Sequence, residues 1–273
     1  MSAEQHDSIA GDDAERFGFG DNWQRFLAVV DDDRIAAAEA SLLDLLDVDT
    51  LAGKSMLDAG SGSGLFSLAA VRLGAHVHSF DYDPASVACT REMQRRYAPE
   101  TADRWTIESG SVLDTQYLAG LGQFDLVYSW GVLHHTGDMW QALANVVPLV
   151  GPGGNLFISL YNDQGVASRR WTWVKRRYNR SSRLGKQVWL GTVGVYFVGR
   201  KAWRTLLRVG SPGETQRRGM SIWYDLRDWV GGYPFEVATP DAVVAFYRAR
   251  GLRLARLHTV GGAHGCNEYV FVR

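Results

Sequence analysis

The stretch LDAGSGSGLF (57–66) decides how this chain is read. Lys54–Asp58 is a short apolar run stopped by an acid and then by Gly60, Gly62 and Gly64, and LFSLAAVRLG (65–74) has the spacing of a helix. A strand, a tight turn and a helix are the expectation. Glycines at such a turn let the backbone approach a ligand and adopt conformations closed to residues with a Cβ. The helix that follows offers unpaired N–H groups at its first turn. The next strand, AHVHSFD (75–81), ends on Asp81, an acid about 20 residues on and placed to accept both hydroxyls of a ribose. A dinucleotide site wants G-x-G-x-x-G, but Leu65 and Ser67 stand where the last glycine is needed. The spacing is D-x-G-x-G-x-G instead.

Outward from this turn the same rhythm continues. Pro84 suits the first position of a helix, PASVACTREMQRRY. FDLVYSW (124–130) reads as a strand and 139–150 as a helix, with Gly151-Pro152-Gly153-Gly154 as its stop. NLFISLY (155–161) is the next strand, and the pattern resumes with a helix from Pro240 and strands at 252–260 and 267–273. Upstream, 1–16 reads as a mobile tail, and the stretch from Asp21 as two helices, the second capped by Asp31–Asp33. Alternating strands and helices predict an α/β, Rossmann-like, doubly wound sheet. Residues 17–162 and 236–273 form its core and N-terminal helices, interrupted by an insertion at 163–235.

Four segments in order resemble the motifs of the class I S-adenosylmethionine (SAM)-dependent methyltransferases. These are the glycine loop, SFDYDP (79–84), IESGSVLD (107–114) and FDLVYSWGVLHHTGD (124–138). The resemblance implies a seven-stranded sheet ordered 3-2-1-4-5-7-6 with the last strand antiparallel. It implies a SAM site lined by Asp58, Gly60, Gly62 and Gly64, with Asp81 on the ribose and Tyr82 beside the adenine. Ser111 and Val112, just after the third strand, would border the adenine, and Ser129 and Trp130 would face the methionine part and the methyl group. The wording GVLHH is close to that of quinone-biosynthesis methyltransferases.

Methyl transfer from a sulfonium is an in-line displacement, so positioning and exclusion of water come first. A protonated oxygen or nitrogen acceptor also needs a base, worth roughly 10²–10⁴-fold. The switch-point rule puts candidates at the ends of strands four and five. There stand His134 and His135, and Tyr161, Asn162 and Asp163. The histidines have a second reading as turn residues, and Asp163 as a cap for the next segment. His264 could reach the site from its Gly-rich loop, and Trp23 could bring the N-terminal helix over the cofactor or simply pack. No metal is expected, since the histidines lack helical i,i+3 or i,i+4 partners and the two cysteines, Cys89 and Cys266, are isolated.

The 273 residues are 46% hydrophobic and 22% charged, which excludes wholesale disorder. A net charge of −1 conceals a division: residues 169–218 carry a balance of +13 and the remainder −14. The basic stretch and its flank also hold Trp171, Trp173, Trp189, Trp203, Trp223 and Trp229. Three uses are open: a helical cap walling an apolar substrate pocket, a membrane-surface contact through VWLGTVGVYFVG (188–199), and RNA binding. RNA is disfavoured, because strand four has SWGV where base-amino methyltransferases carry N/D-P-P-Y. The N-terminus has no signal-peptide pattern and no run of about 20 apolar residues occurs, so a cytoplasmic setting is expected. The expected function is transfer of the SAM methyl to a small-molecule acceptor, at oxygen, under the cap. A lipid-like quinol at a membrane, or RNA, is the alternative acceptor. Oligomeric state is left open.

Overall fold

The computed structural model describes residue 23 and residues 26–206, 229–261 and 265–273, over 196–206 by backbone alone. The expected tail at 1–16 and His264 lie outside the described residues, as do Trp223 and the basic residues beyond Leu206. Seven strands form one sheet: β1 (Ser55–Ala59), β2 (His76–Asp81), β3 (Trp105–Ser109), β4 (Phe124–Trp130), β5 (Val150–Tyr161), β6 (Arg253–His258) and β7 (Cys266–Val272). Their order is β3-β2-β1-β4-β5-β7-β6. β7 runs antiparallel to both its neighbours, while β1 to β5 pair in parallel. This is the doubly wound, Rossmann-like sheet that the motifs imply.

The helices are α1 (Asp32–Leu46), α2 (Leu65–Arg72), α3 (Pro84–Tyr97), α4 (Thr115–Ala119), α5 (Met139–Asn145), α6 (Val166–Asn179), α7 (Arg183–Leu206) and α8 (Pro240–Arg248). Local chemistry starts many of them. Asp31, Asp83, Asp114, Asp138 and Thr239 accept backbone N–H groups at the first turns of α1, α3, α4, α5 and α8. Each such cap stabilises by about 1 kcal/mol. The central strands are buried on both faces, as parallel sheets require: Met56, Leu57 and Ala59 of β1 and Leu126, Val127 and Tyr128 of β4 are all in the core.

Three boundaries differ from the sequence reading. The segment quoted from Ile107 still belongs to β3 as far as Ser109. The helix expected over 139–150 ends at Asn145, followed by a 3₁₀ turn at Val147–Leu149. Pro148 has no N–H for the i→i−4 ladder and disfavours helix in the residue before it. The Gly-Pro-Gly-Gly stretch is not a stop before β5 but lies inside it. Val150 pairs with Phe124 and Asn155 with Leu126, so the four residues between them form an irregularity in one continuous strand. Gly153, at φ +71, is bonded through its N–H to the carbonyl of Arg273, and Arg273 N–H returns to Gly154.

Two compact units are distinguished, one comprising Gly18–Ser168 with Phe235–Arg273 and the other containing Arg169–Pro234. The first holds the sheet. The second has its own small core, in which Tyr178, Val193 and Val230 are buried among Trp171, Val174, Trp189, Leu190 and Trp229. Lys175 is buried there, donating to the Trp229 carbonyl and lying 4.9 Å from that indole's centroid.

Candidate active site

The glycine loop joins β1 to α2. Gly60, Gly62 and Gly64 have φ of +89, +55 and +77, so all three use the left-handed freedom of glycine. Each is also hemmed in: a Cβ on Gly60 would stand 2.4 Å from Val132, on Gly62 2.9 Å from the Trp23 indole, and on Gly64 2.8 Å from Thr90. Gly64 is the N-cap of α2 and has no side chain to satisfy the helix's first N–H groups. Ser61 bonds Thr90 at 2.9 Å and the Gly60 N–H reaches the Phe80 carbonyl at 2.8 Å, tying the loop to α3 and β2.

Asp81 ends β2 beside this loop. One carboxylate oxygen accepts the N–H of Gly62 and the other that of Asp83, both at 2.9 Å. Carboxylate oxygens each have two lone-pair directions, so the group can accept a ligand's hydroxyl besides these backbone bonds. Burial raises its pKa to about 6, against the lowering effect of these backbone bonds. Tyr82 follows, 55% exposed. These features fit an adenosine: a diol acceptor, an exposed ring next to it, and a loop whose backbone is uncovered by side chains of its own. Ser111 is half-buried and its hydroxyl accepts the Leu113 N–H at 3.2 Å. Val112 is buried, and its carbonyl accepts from Asn145.

Asp58 lies deeper. It is fully buried and accepts a short hydrogen bond from Ser67, which bonds Ser79 at 2.7 Å, which in turn receives the Trp105 indole N–H at 2.8 Å. Burial drives the Asp58 pKa up to about 7, with the Asp81 charge adding to the rise. Its carboxyl joins β1 to α2 and β2. Ser129 is likewise buried, donating to the Ala59 carbonyl at 2.8 Å and so pinning β4 to β1. Trp130 is half-buried and its indole N–H reaches across β5 to Glu268 of β7 at 2.9 Å.

Beyond β4, Gly131 turns the chain at φ +73 and Leu133–His135 form one 3₁₀ turn. His134 is buried; its ring lies 4.4 Å from that of His135 and 4.2 Å from Tyr161 at the end of β5. Tyr161 in turn meets Phe235 at 4.9 Å. His135 is half-buried. Asp163 stands after β5, where Oδ1 accepts the Gly165 N–H at 2.7 Å, a local turn that leads into α6. Asn162 is held by Asn267 at 3.0 Å. Glu236, not among the sequence candidates, accepts the N–H groups of Gly137 and Met139 at the start of α5. Its reach of about a hundred residues leaves no local signal. Thr90 and Val132, the neighbours of the glycines, were equally invisible. Burial pushes the Cys89 thiol up to about 12, which removes it as a nucleophile. Among the described residues no group of three His, Cys, Asp or Glu is arranged to hold a metal ion.

Residues 57–156 match the family described as Methyltransferase domain. The ubiquinone biosynthesis O-methyltransferase of Pseudomonas paraeruginosa is 33% identical over 119 residues, covering 41% of this chain and 46% of that protein. The protein of the same description from Aromatoleum aromaticum is 30% identical over 128 residues, covering 44% and 50%. The chain thus spans about half the length of the curated relatives it matches. In fold it is similar to magnesium protoporphyrin IX methyltransferase from Synechocystis PCC 6803, solved with bound SAH, at a TM-score of 0.56 and 17% identity over 97% of this chain and 99% of that one. Sheet order, loop and matched segment together are similar to those of class I SAM-dependent methyltransferase domains. No helix among the described residues is long and apolar enough to cross a membrane.

Proposed function

We propose that this chain transfers the SAM methyl group to the oxygen of a small-molecule acceptor. The reading rests on one observation: Val132, the residue against which a Gly60 side chain would collide, leads directly into the turn that bears His134 and His135. The turn bearing the two imidazoles thus begins beside the glycine loop, at the carboxyl ends of β1 and β4, where open α/β sheets bind their ligands, and this supports the reading. Oxygen is favoured because the relatives from Pseudomonas and Aromatoleum are described as O-methyltransferases.

SAM when bound supplies an electrophilic methyl on a sulfonium. The chain's own part is to hold and orient. Asp81 would take the ribose hydroxyls, and Gly60 and Gly62 would admit the backbone-close part of the cofactor. Half-buried His135 would accept the acceptor's proton, with His134 and Tyr161 fixing its ring. Asp163 is a second base candidate through the oxygen not engaged by Gly165. The 163–235 insertion would select the acceptor as a cap.

Calorimetry with SAM and transfer from labelled SAM to phenols, quinols, hydroxy acids and bulk RNA test the proposal. Transfer to a hydroxyl compound is expected. Label appearing only on nitrogen, carbon or RNA overturns it. A quinol acceptor gains support from the relatives' description, and RNA has no comparable support.

A further inference from the structure

We infer that the outward face of α7 docks on an anionic lipid surface. A helix of a soluble domain buries one apolar stripe and turns polar residues outward. Over 183–195, α7 has two apolar stripes. Trp189, Leu190 and Val193 face the small core with Tyr178 and Val230. Leu184, Val188 and Val195 face away from it, exposed by 76%, 60% and 74%, with exposed Gly191 between them. At 100° per residue these four positions fall within about 60° of one another, a straight ridge about 17 Å long. Trp173 of α6, 58% exposed, stands beside this helix with its ring 6.0 Å from Trp189.

Charge identifies the occupant. From Val166 to Leu206 the chain has eleven Lys or Arg and no acid at all. Arg169, Arg170, Arg177 and Arg183 are exposed, and the Arg177 guanidinium lies 6.0 Å from the Trp173 centroid. An apolar ridge with a Trp beside it and a uniformly basic surround matches an interfacial helix on anionic headgroups. RNA would use the arginines but offers nothing to the aliphatic ridge. α7 is a surface helix by this reading, since its 24 residues hold no stretch apolar enough to cross a bilayer.

The test uses the full chain and sedimentation with vesicles. Strong binding to mixed phosphatidylglycerol–phosphatidylcholine vesicles, weak binding to pure phosphatidylcholine, and a fall with rising salt are expected. Leu184→Asp, Val188→Asp and Val195→Asp together should lower partitioning by roughly tenfold or more, while Arg177→Gln with Arg183→Gln should weaken only the anionic binding. Unchanged circular dichroism and SAM affinity show that these exposed substitutions leave the protein folded. Four results overturn the inference. One is no binding to anionic vesicles, and another is equal binding by the ridge variant. The third is a dimer of the full chain that the same variant dissociates, which would make a second copy the occupant. Retention of RNA without retention of vesicles would also reassign the face. Methyl transfer is not read in any arm, so the outcome stands apart from that of the proposed reaction.

Discussion

The carboxylate of Asp81 accepts the backbone N–H of Gly62 at 2.9 Å, so the side chain proposed to take the ribose hydroxyls also holds the glycine loop in place. Asp81→Ala removes both functions. Calorimetry should show SAM affinity reduced about 10- to 100-fold, the range expected for lost hydrogen bonds to a charged group. Asp81→Asn retains one acceptor oxygen and should fall between. Undiminished affinity in the alanine variant would reject the site.

The same burial makes stability depend on pH. Asp58 and Asp81 have pKa values of about 7 and about 6 in the fold, both raised first by burial, against an ordinary value of 3.8. Between these limits the native state holds more protons than the unfolded chain, so stability falls as pH rises. Their contribution is complete below 3.8 and is lost as pH climbs through about 6 and then about 7. Urea unfolding should therefore show lower stability at pH 8 than at pH 5. Asp58→Asn, neutral throughout, should flatten that decline. A profile that this substitution leaves untouched would mean Asp58 is already ionised at pH 5.

The three loop glycines should not be equivalent. The three atoms nearest a Cβ on Gly60 all belong to the Val132 side chain, whereas a Cβ on Gly64 also meets the Thr90 Cα at 3.1 Å, which is backbone. Both substitutions incur about 1 kcal/mol or more for the left-handed conformation. Gly60→Ala combined with Val132→Ala should recover part of its loss, and a double-mutant cycle reads that coupling. Gly64→Ala should be the more destabilising and resist rescue by Thr90→Ser, which leaves the Cα where it is. Equal losses at the two positions, with no coupling to Val132, would contradict the packing described.

His134 and His135 should separate by experiment. His134 is buried against Tyr161 and His135, so His134→Ala should cost on the order of 1–3 kcal/mol in unfolding. His135→Ala should leave stability nearly unchanged and lower turnover by roughly 10²- to 10⁴-fold at saturating SAM. Thermal unfolding and labelled-methyl transfer on both variants decide the matter. The reverse pattern would assign the base to His134.

Much of this protein is written in short-range signals. Glycine spacing, the apolar runs of the central strands, the aspartate caps and Pro84 act within a few residues, and periodicity therefore located the strands around the loop and the start of α3. The loop-to-Asp81 interval carried the candidate cofactor site for the same reason. What sequence could not supply was the fate of polar groups whose partners are distant in the chain. Ser129 donates to Ala59, 70 residues away, Glu236 caps α5 across 99, and Trp130 reaches Glu268 across 138. Gly151–Gly154 looked like a stop because four turn-forming residues in a row usually are one. Pairing with β4 and bonding to Arg273 drew them into β5 instead. In the basic insertion, composition alone marked an apolar segment at 188–199. The packing of α7 on Tyr178 and Val230 divided its apolar residues over 183–195 into a buried stripe and an exposed one. Residue order determined which elements form and where the loop lies; only tertiary contact decided which side chains face solvent, because burial depends on neighbours that the chain brings back from far away.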